Sequence, residues 1–279
     1  MTRVHRLLLA LLLGLGLTLG ASPATAAETH PRTSARWQTC VKKLDGITTK
    51  ISRSQRTVII VNQTSRTYAR VSLWVRRDAP CTLTRKFLTT TARIGQNGTV
   101  EGTERRQGSM TTPRGTYTIG ETFGNGPAPY TSMPYHRTRK GDYWVGDNSS
   151  RYYNQLRNSA QGGFRRSESE NLRAYGAQPV TEMEAPELYA MVDRLRNAAD
   201  GGFRRSVSEN LRAYGAQYRY AAVINFNRPP DTSRAYRGFA IFLHVKNGTG
   251  TAGCVGITEG QMKQVLRYLR PGDKITIRR

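Results

Sequence analysis

Two residues near the C-terminus could do chemistry together. His244 lies at the end of a short apolar run, Gly238 to Val245, and Cys254 follows ten positions later inside a Gly-rich segment. A thiol with a pKa near ~8.5 is a poor nucleophile at neutral pH, and an adjacent imidazole makes it reactive by favouring the thiolate. A short loop that folds back can bring Cys254 within proton-transfer reach of His244. The backbone N–H groups of Gly253 and Cys254 would then face the oxyanion of an acyl intermediate. Gly253 leaves room for a substrate carbonyl to approach. Val245 is apolar and offers no third side chain, so a backbone carbonyl has to orient the imidazole. The competing reading makes Cys254 a buried small hydrophobe and His244 a satisfied strand histidine.

These residues need strands to hold them. Residues 218–227 and 238–245 are nearly continuous apolar runs, the pattern of strands buried on both faces. Residues 56–62 hold a β-branched run, and 68–76 alternate with period two. Residues 86–94 read as a strand ending at the turn Gln96-Asn97-Gly98. Short strands are expected at 116–119, 142–145 and 274–277. Met262, Val265, Leu266 and Leu269 place a helix at 259–269, stopped by Pro271 and Gly272. Short strands with few helices argue for a mainly β domain.

One segment repeats. Residues 158–178 recur as 197–217 at an offset of 39, with 18 of 21 positions identical. Ser167/Glu170 and Ser206/Glu209 have capping-box spacing, and Gly176 and Gly215 stand where helix C-caps prefer glycine. Each copy is therefore expected to carry a helix of about two turns, with a further amphipathic helix at 186–199 between them. Two copies are too few for a solenoid, so 158–217 reads as a duplicated loop insertion, with a duplicated ligand-binding element as the alternative.

The N-terminus sets the compartment. Arg3 and Arg6 precede an apolar stretch from Leu7 to Leu19, and Ala24-Thr25-Ala26 follows. This is the pattern of a secretory signal peptide over residues 1–26, with no membrane anchor left after cleavage. Residues 27–55 look like a loosely ordered lead-in, and 56–279 like the catalytic unit. The chain has 43 Lys+Arg against 19 Asp+Glu, a net charge of +24. Outside the membrane, anionic wall polymers or phospholipid headgroups suit that charge, although it could equally serve to solvate the surface. The arginines are scattered and no nucleic-acid-binding motif is present, so no nucleic acid partner is expected. Four His and three Cys argue against a metal centre, and no cofactor is expected. Export permits disulfides, and three thiols leave one over. The economical assignment pairs Cys40 with Cys81 and leaves Cys254 reduced; another pairing or three reduced thiols are the alternatives.

Four stretches in order resemble the exported L,D-transpeptidases with a YkuD-type catalytic domain, in particular an Arg-rich actinobacterial branch. They are Ala92 to Gly98, Met110 to Tyr117 with its Thr112-Pro113-Arg114-Gly115 core, Pro134 to Asn154, and His244 to Val255. The resemblance covers about residues 56–279. It implies a mainly β domain acting on peptidoglycan stem peptides, with Cys254 as acyl-accepting nucleophile and His244 as general base. His136, Tyr153, Asn154 and Thr251 are expected near the cleft as substrate contacts, turn or surface roles being the alternative. Two positions depart from the family's pattern. A polar residue is usual before Gly-Cys, and Arg or Asn two after Cys; here these are Ala252 and Gly256.

Overall fold

The computed structural model describes residues 39–77, 81–168, 170–171, 216–229 and 233–279. The expected signal peptide, the helix at 186–199 and nearly all of the second repeat copy lie outside the described residues.

The chain first forms a two-stranded hairpin, β1 (Thr39–Leu44) and β2 (Ile47–Ser52). The connecting residues are Asp45 and Gly46, both at positive φ (47° and 87°). A two-residue Asp-Gly turn of this kind matches the twist of the strands it joins. The expectation of a loosely ordered lead-in is thus corrected over residues 39–52.

The main sheet follows: β3 (Thr57–Gln63), β4 (Tyr68–Arg76), β5 (Leu83–Arg93), β6 (Thr99–Glu101) and β7 (Thr112–Gly124). Three short strands, β8 (Tyr135–Arg137), β9 (Asp142–Trp144) and β10 (Leu156–Asn158), come next, then β11 (Glu170–Asn171). The C-terminal part supplies β12 (Ala221–Ile224), β13 (Phe242–Val245), β14 (Val255–Ile257), helix α1 (Glu259–Tyr268) and β15 (Lys274–Arg278). The strand order is β12-β13-β14-β5-β4-β3-β15-β7, and β12 also pairs with β7, so the sheet closes on itself.

Closure gives the sheet an inside and an outside. Inward residues such as Ile59, Val71, Leu73, Leu243, Val255 and Ile275 form the main core. Met262, Val265, Leu266 and Leu269 of α1 pack into it. The helix starts at Thr258, whose side chain accepts from Gln261 N while the Gln261 side chain accepts from Thr258 N. Outside, the β1–β2 hairpin covers Val58, Ile60 and Trp74. Its turn is fastened by Asp45, which accepts from Ser72 Oγ, from Trp74 Nε1 and from Arg85 Nη1. A disulfide joins Cys40 on β1 to Cys81 before β5, while Cys254 is in no disulfide.

Several expected elements are shorter or different. The runs 218–227 and 238–245 are strand only at 221–224 and 242–245. Asn227 and Ala240 take positive φ (55° and 54°) and break the extended backbone. In the first repeat copy the expected helix start is corrected: Ser167 lies in a 3-10 turn, Arg166–Glu168, and Glu170–Asn171 is strand paired with Tyr143 and Trp144. Local capping potential yields there to ladder bonds offered by β9.

The hairpin generates a prediction. In the chain-entropy picture the Cys40–Cys81 link restrains the unfolded chain by about 4 kcal/mol. Cys40→Ser/Cys81→Ser should lose up to that amount in urea unfolding, with β1 and β2 the first amides to exchange. Unchanged stability would mean that packing on Trp74 and Ile60 holds the hairpin unaided.

Candidate functional site

The site is built where β13 and β14 run side by side. They pair in parallel, with Leu243 opposite Val255, His244 opposite Gly256 and Val245 opposite Ile257. Leu243, Val245, Val255 and Ile257 point into the main core. Phe242 and Cys254 belong instead to an outer cluster with Phe123, Trp144, Tyr218, Ala221, Val223 and Ala240. The Tyr218 ring meets the His244 ring edge-on at 5.5 Å. Alternation along the strands thus puts His244 and Cys254 on one face. They lie diagonally across the ladder, roughly 8 Å apart at Cα from standard strand spacings.

The connection from β13 to β14 is short for a parallel pair. It manages the return by reaching past β14. Thr251 N donates to Ile94 O at 2.9 Å, and Gln96 N donates to Thr251 O at 2.9 Å. From that anchor Ala252 and Gly253 lead back to Cys254. Thr251 Oγ1 donates to Cys254 O at 2.7 Å and accepts from Gly253 N at 3.1 Å. Thr112 Oγ1 accepts from Gly95 N at 2.8 Å and reaches Cys254 O at 3.4 Å. Three separated stretches, at 94–96, 111–112 and 251–254, therefore fix one turn. Gly253 has φ 142°, and a Cβ there would lie 2.8 Å from Arg105 Nη2 and 2.8 Å from Thr111 O. No residue with a side chain fits without moving these neighbours.

Cys254 is 6% exposed and His244 0%. Cys254 Sγ donates to Ala240 O at 3.2 Å and accepts from Phe242 N at 3.3 Å. His244 Nδ1 lies 2.8 Å from Val245 O. A carbonyl only accepts, so Nδ1 carries the proton. Nε2 is buried and has no hydrogen-bond partner among the described residues. Burial lowers the His244 pKa to about 4, partly opposed by the bond to Val245 O. The imidazole is neutral at pH 7, with its lone pair on Nε2. Thiol and imidazole share a face but are not hydrogen-bonded to each other.

The expected oxyanion donor at Gly253 is already engaged, since its N–H is held by Thr251 Oγ1. His136 sits on β8, away from this turn, with Nε2 2.7 Å from Asp142 Oδ2. Tyr153 is buried; its OH donates to Gln107 Oε1 and accepts from Gly238 N. Burial pushes its pKa up to about 12. Asn154 is buried at φ 59° with every polar position used. Its Oδ1 accepts from Trp144 Nε1 and Ala240 N, and its Nδ2 donates to Phe226 O and Asn227 O. Tyr153 and Asn154 thus hold the segment that presents Ala240 O to the thiol.

Arg105 is the neighbour that the sequence did not disclose. It is 4% exposed and donates to Thr111 O, Arg237 O and Ala252 O at 2.8, 2.9 and 3.2 Å. Burial lowers its pKa to about 10, so it stays charged. One arginine among many carries no sequence mark; only the fold buries it beside the Cys254 turn.

The described strands thus form a closed, mainly β sheet with His244 on β13 and Cys254 just before its parallel neighbour β14. Residues 56–277 match the family of the YkuD L,D-transpeptidase catalytic domain, and the chain belongs to that family. The family acts on the peptidoglycan of the cell wall. No curated protein matches. Among solved structures the chain is similar to an L,D-transpeptidase (Yku) from Stackebrandtia nassauensis, at 13% identity and a TM-score of 0.30. That match covers 81% of this chain, which spans 56% of the other's length. Among the described residues no helix is long and apolar enough to cross a membrane, and no group of three His, Cys, Asp or Glu is placed to hold a metal.

The buried imidazole makes stability depend on pH. The unfolded histidine takes a proton near pH 6.5, while the folded one resists until about pH 4. Between these values the unfolded state binds more protons, so stability falls as pH falls. The contribution is about 3 kcal/mol between pH 7 and 4. His244→Gln, which does not titrate, should lose less stability over that range. Parallel urea curves for the two proteins at pH 7, 5.5 and 4 measure this, and an identical fall in both would refute it.

Proposed function

We propose that the protein is an exported L,D-transpeptidase that acts on peptidoglycan stem peptides through a thioacyl-enzyme at Cys254, with His244 as general base. The observation that carries this reading is the His244 ring. Its Nδ1–H is committed to Val245 O, and its Nε2 lone pair lies unpartnered on the same face as the thiol. That is the tautomer a general base needs.

The chemistry balances with these two groups. Cys254 turns from Ala240 O towards His244, and Nε2 takes the thiol proton. The thiolate attacks the carbonyl of an L-centre joined to a D-residue. The C–N bond breaks, the leaving amine takes the proton from Nε2, and a terminal D-residue departs, leaving a thioester. An acceptor amine then attacks the thioester, gives its proton to Nε2, and the thiol re-forms as the new amide leaves. With water as acceptor the same steps give an L,D-carboxypeptidase. Low exposure of Cys254 and His244 means that the layer of Trp144, Phe242 and Tyr218 has to shift before a stem peptide reaches the sulfur.

A second reading is a cationic wall-binding protein with a silenced site. Ala252 and Gly256 in place of polar residues, and the engaged Gly253 N–H, favour it. Anionic wall polymers are partners under either reading.

Acylation separates the two. A strained carbapenem amide should form one covalent adduct on Cys254, seen by intact mass and peptide mapping. His244→Ala should slow adduct formation ~10²–10⁴-fold near neutral pH. Raising the pH towards ~9 should restore part of the rate, because the thiol then ionises unaided. Cys254→Ser should form no adduct. Muropeptide mass analysis then distinguishes amine from water as acceptor. An adduct that persists in Cys254→Ser, or a rate indifferent to His244→Ala, would leave the wall-binding reading standing.

A further inference from the structure

Arg105 is a buried cation without an anion. Its guanidinium spends its hydrogen bonds on three carbonyls, Thr111 O, Arg237 O and Ala252 O. Among the described residues no carboxylate lies within ion-pair distance of it. The guanidinium also lies 5.6 Å from the Phe226 ring centroid, but a buried charge held by dipoles and a ring face is costly unless a counter-charge forms nearby. Gly253 is what lets it come so close, since any Cβ there would collide with Nη2.

The neighbouring histidine cannot fill the same role. His244 is fully buried and resists protonation, so an imidazolium is a poor resting partner for a thiolate in this site. The base that takes the proton and the charge that steadies the sulfur are then different groups.

We infer that Arg105 is the electrostatic counter-charge of the Cys254 thiolate, a positioning residue held beside the Cys254 turn by its bond to Ala252 O. The inference rests on Cys254 being the reactive thiol of the proposed function. The influence is mutual. The field of the Cys254 thiolate is the largest effect opposing the lowering of Arg105's pKa by burial, so by linkage the guanidinium favours the thiolate equally. Among the described residues, other titratable groups around the pair are few. Tyr218 packs with Cys254, and Tyr117 and Tyr153 face Arg105. Tyr117 OH donates to Arg114 O, and Tyr153, with its pKa pushed up to about 12, stays neutral over the range that matters. Arg237 lies beyond, donating to Gly102 O.

The pH dependence of iodoacetamide alkylation tests this on the disulfide-intact protein, where Cys254 is the thiol counted. Partial burial scales the rate without moving the midpoint, so the midpoint reports the thiol pKa. Arg105→Gln should raise it by one unit or more, which leaves at least tenfold less thiolate at neutral pH. Arg105→Lys keeps the charge but not the three-way fork, and should stay within about half a unit of the parent. A merely structural Arg105 would give the reverse: Lys and Gln would shift the midpoint alike, or neither would. Either result overturns the inference. If Arg105→Gln does not fold, as judged by circular dichroism, the Lys variant decides alone: a rise of a unit or more refutes the role. Alkylation needs no transfer activity. A midpoint shift in a protein whose acyl transfer survives Cys254→Ser would therefore refute the proposed function and leave the electrostatic pairing intact.

Discussion

Three residue pairs of parallel strand, from Leu243–Val255 to Val245–Ile257, carry the geometry on which the site depends. Parallel neighbours are normally joined by long crossovers, because the chain must travel back the full length of the strand. Here the chain leaves β13, binds Ile94 and Gln96 through Thr251, and re-enters beside the strand it left. The turn carrying Cys254 is thus defined by the end of β5 and the start of β7 as much as by its own sequence. Sheet closure through β12 and β7 supports this from the other side, since β12 pairs with β13 at His244. Loosening either edge would move the histidine relative to the cysteine.

Burial then sets the electrical character of the pair. A charge in such a place costs far more than in water, which keeps His244 neutral and its lone pair available. The same environment strengthens the influence of Arg105 on the neighbouring sulfur. An apolar wall of Phe123, Trp144, Tyr218 and Phe242 packs with Cys254, its ring centroids 4.9–6.1 Å apart, and Tyr218 meets the His244 ring. Asn154 locks that wall by bonding the Trp144 indole and the Ala240 backbone at once.

Much of this was legible where the local pattern and the tertiary demand agree. β4 occupies the residues its alternation marks, and α1 lies where its apolar stripe and its following Pro-Gly place it. His244 and Cys254 stand out as a strand histidine followed by a cysteine in a Gly-rich loop, and the stretches 92–98 and 110–117 reach the Cys254 turn through Ile94, Gly95, Gln96 and Thr112. The Asp45-Gly46 turn was equally readable, an Asp-Gly pair between β-forming stretches, but its polar, exposed flanks hid it. Arg105, the roles of Tyr153 and Asn154, and the capture of the Gly253 N–H were not readable. Each depends on which groups long-range packing brings together. At Glu170–Asn171 a good helix-start signal lost to a neighbouring strand, because a capping box stabilises only a helix that tertiary contacts allow.

The duplicated segment touches the domain at both ends. The first copy supplies the near end: Arg165 pairs with Asp147, and Glu170–Asn171 joins β9. The second supplies the far end, where Gln217 O accepts from Val245 N beside the histidine. Yet the copies share these residues. Arg204, Glu209 and Asn210 correspond to Arg165, Glu170 and Asn171, and Gln178 to Gln217; the capping Gln161 differs, its counterpart being Asp200. A gene in which misaligned recombination left one unit would still encode both attachment ends, and one with three would encode them still. In sequence, a single unit therefore holds the residues that both attachments use.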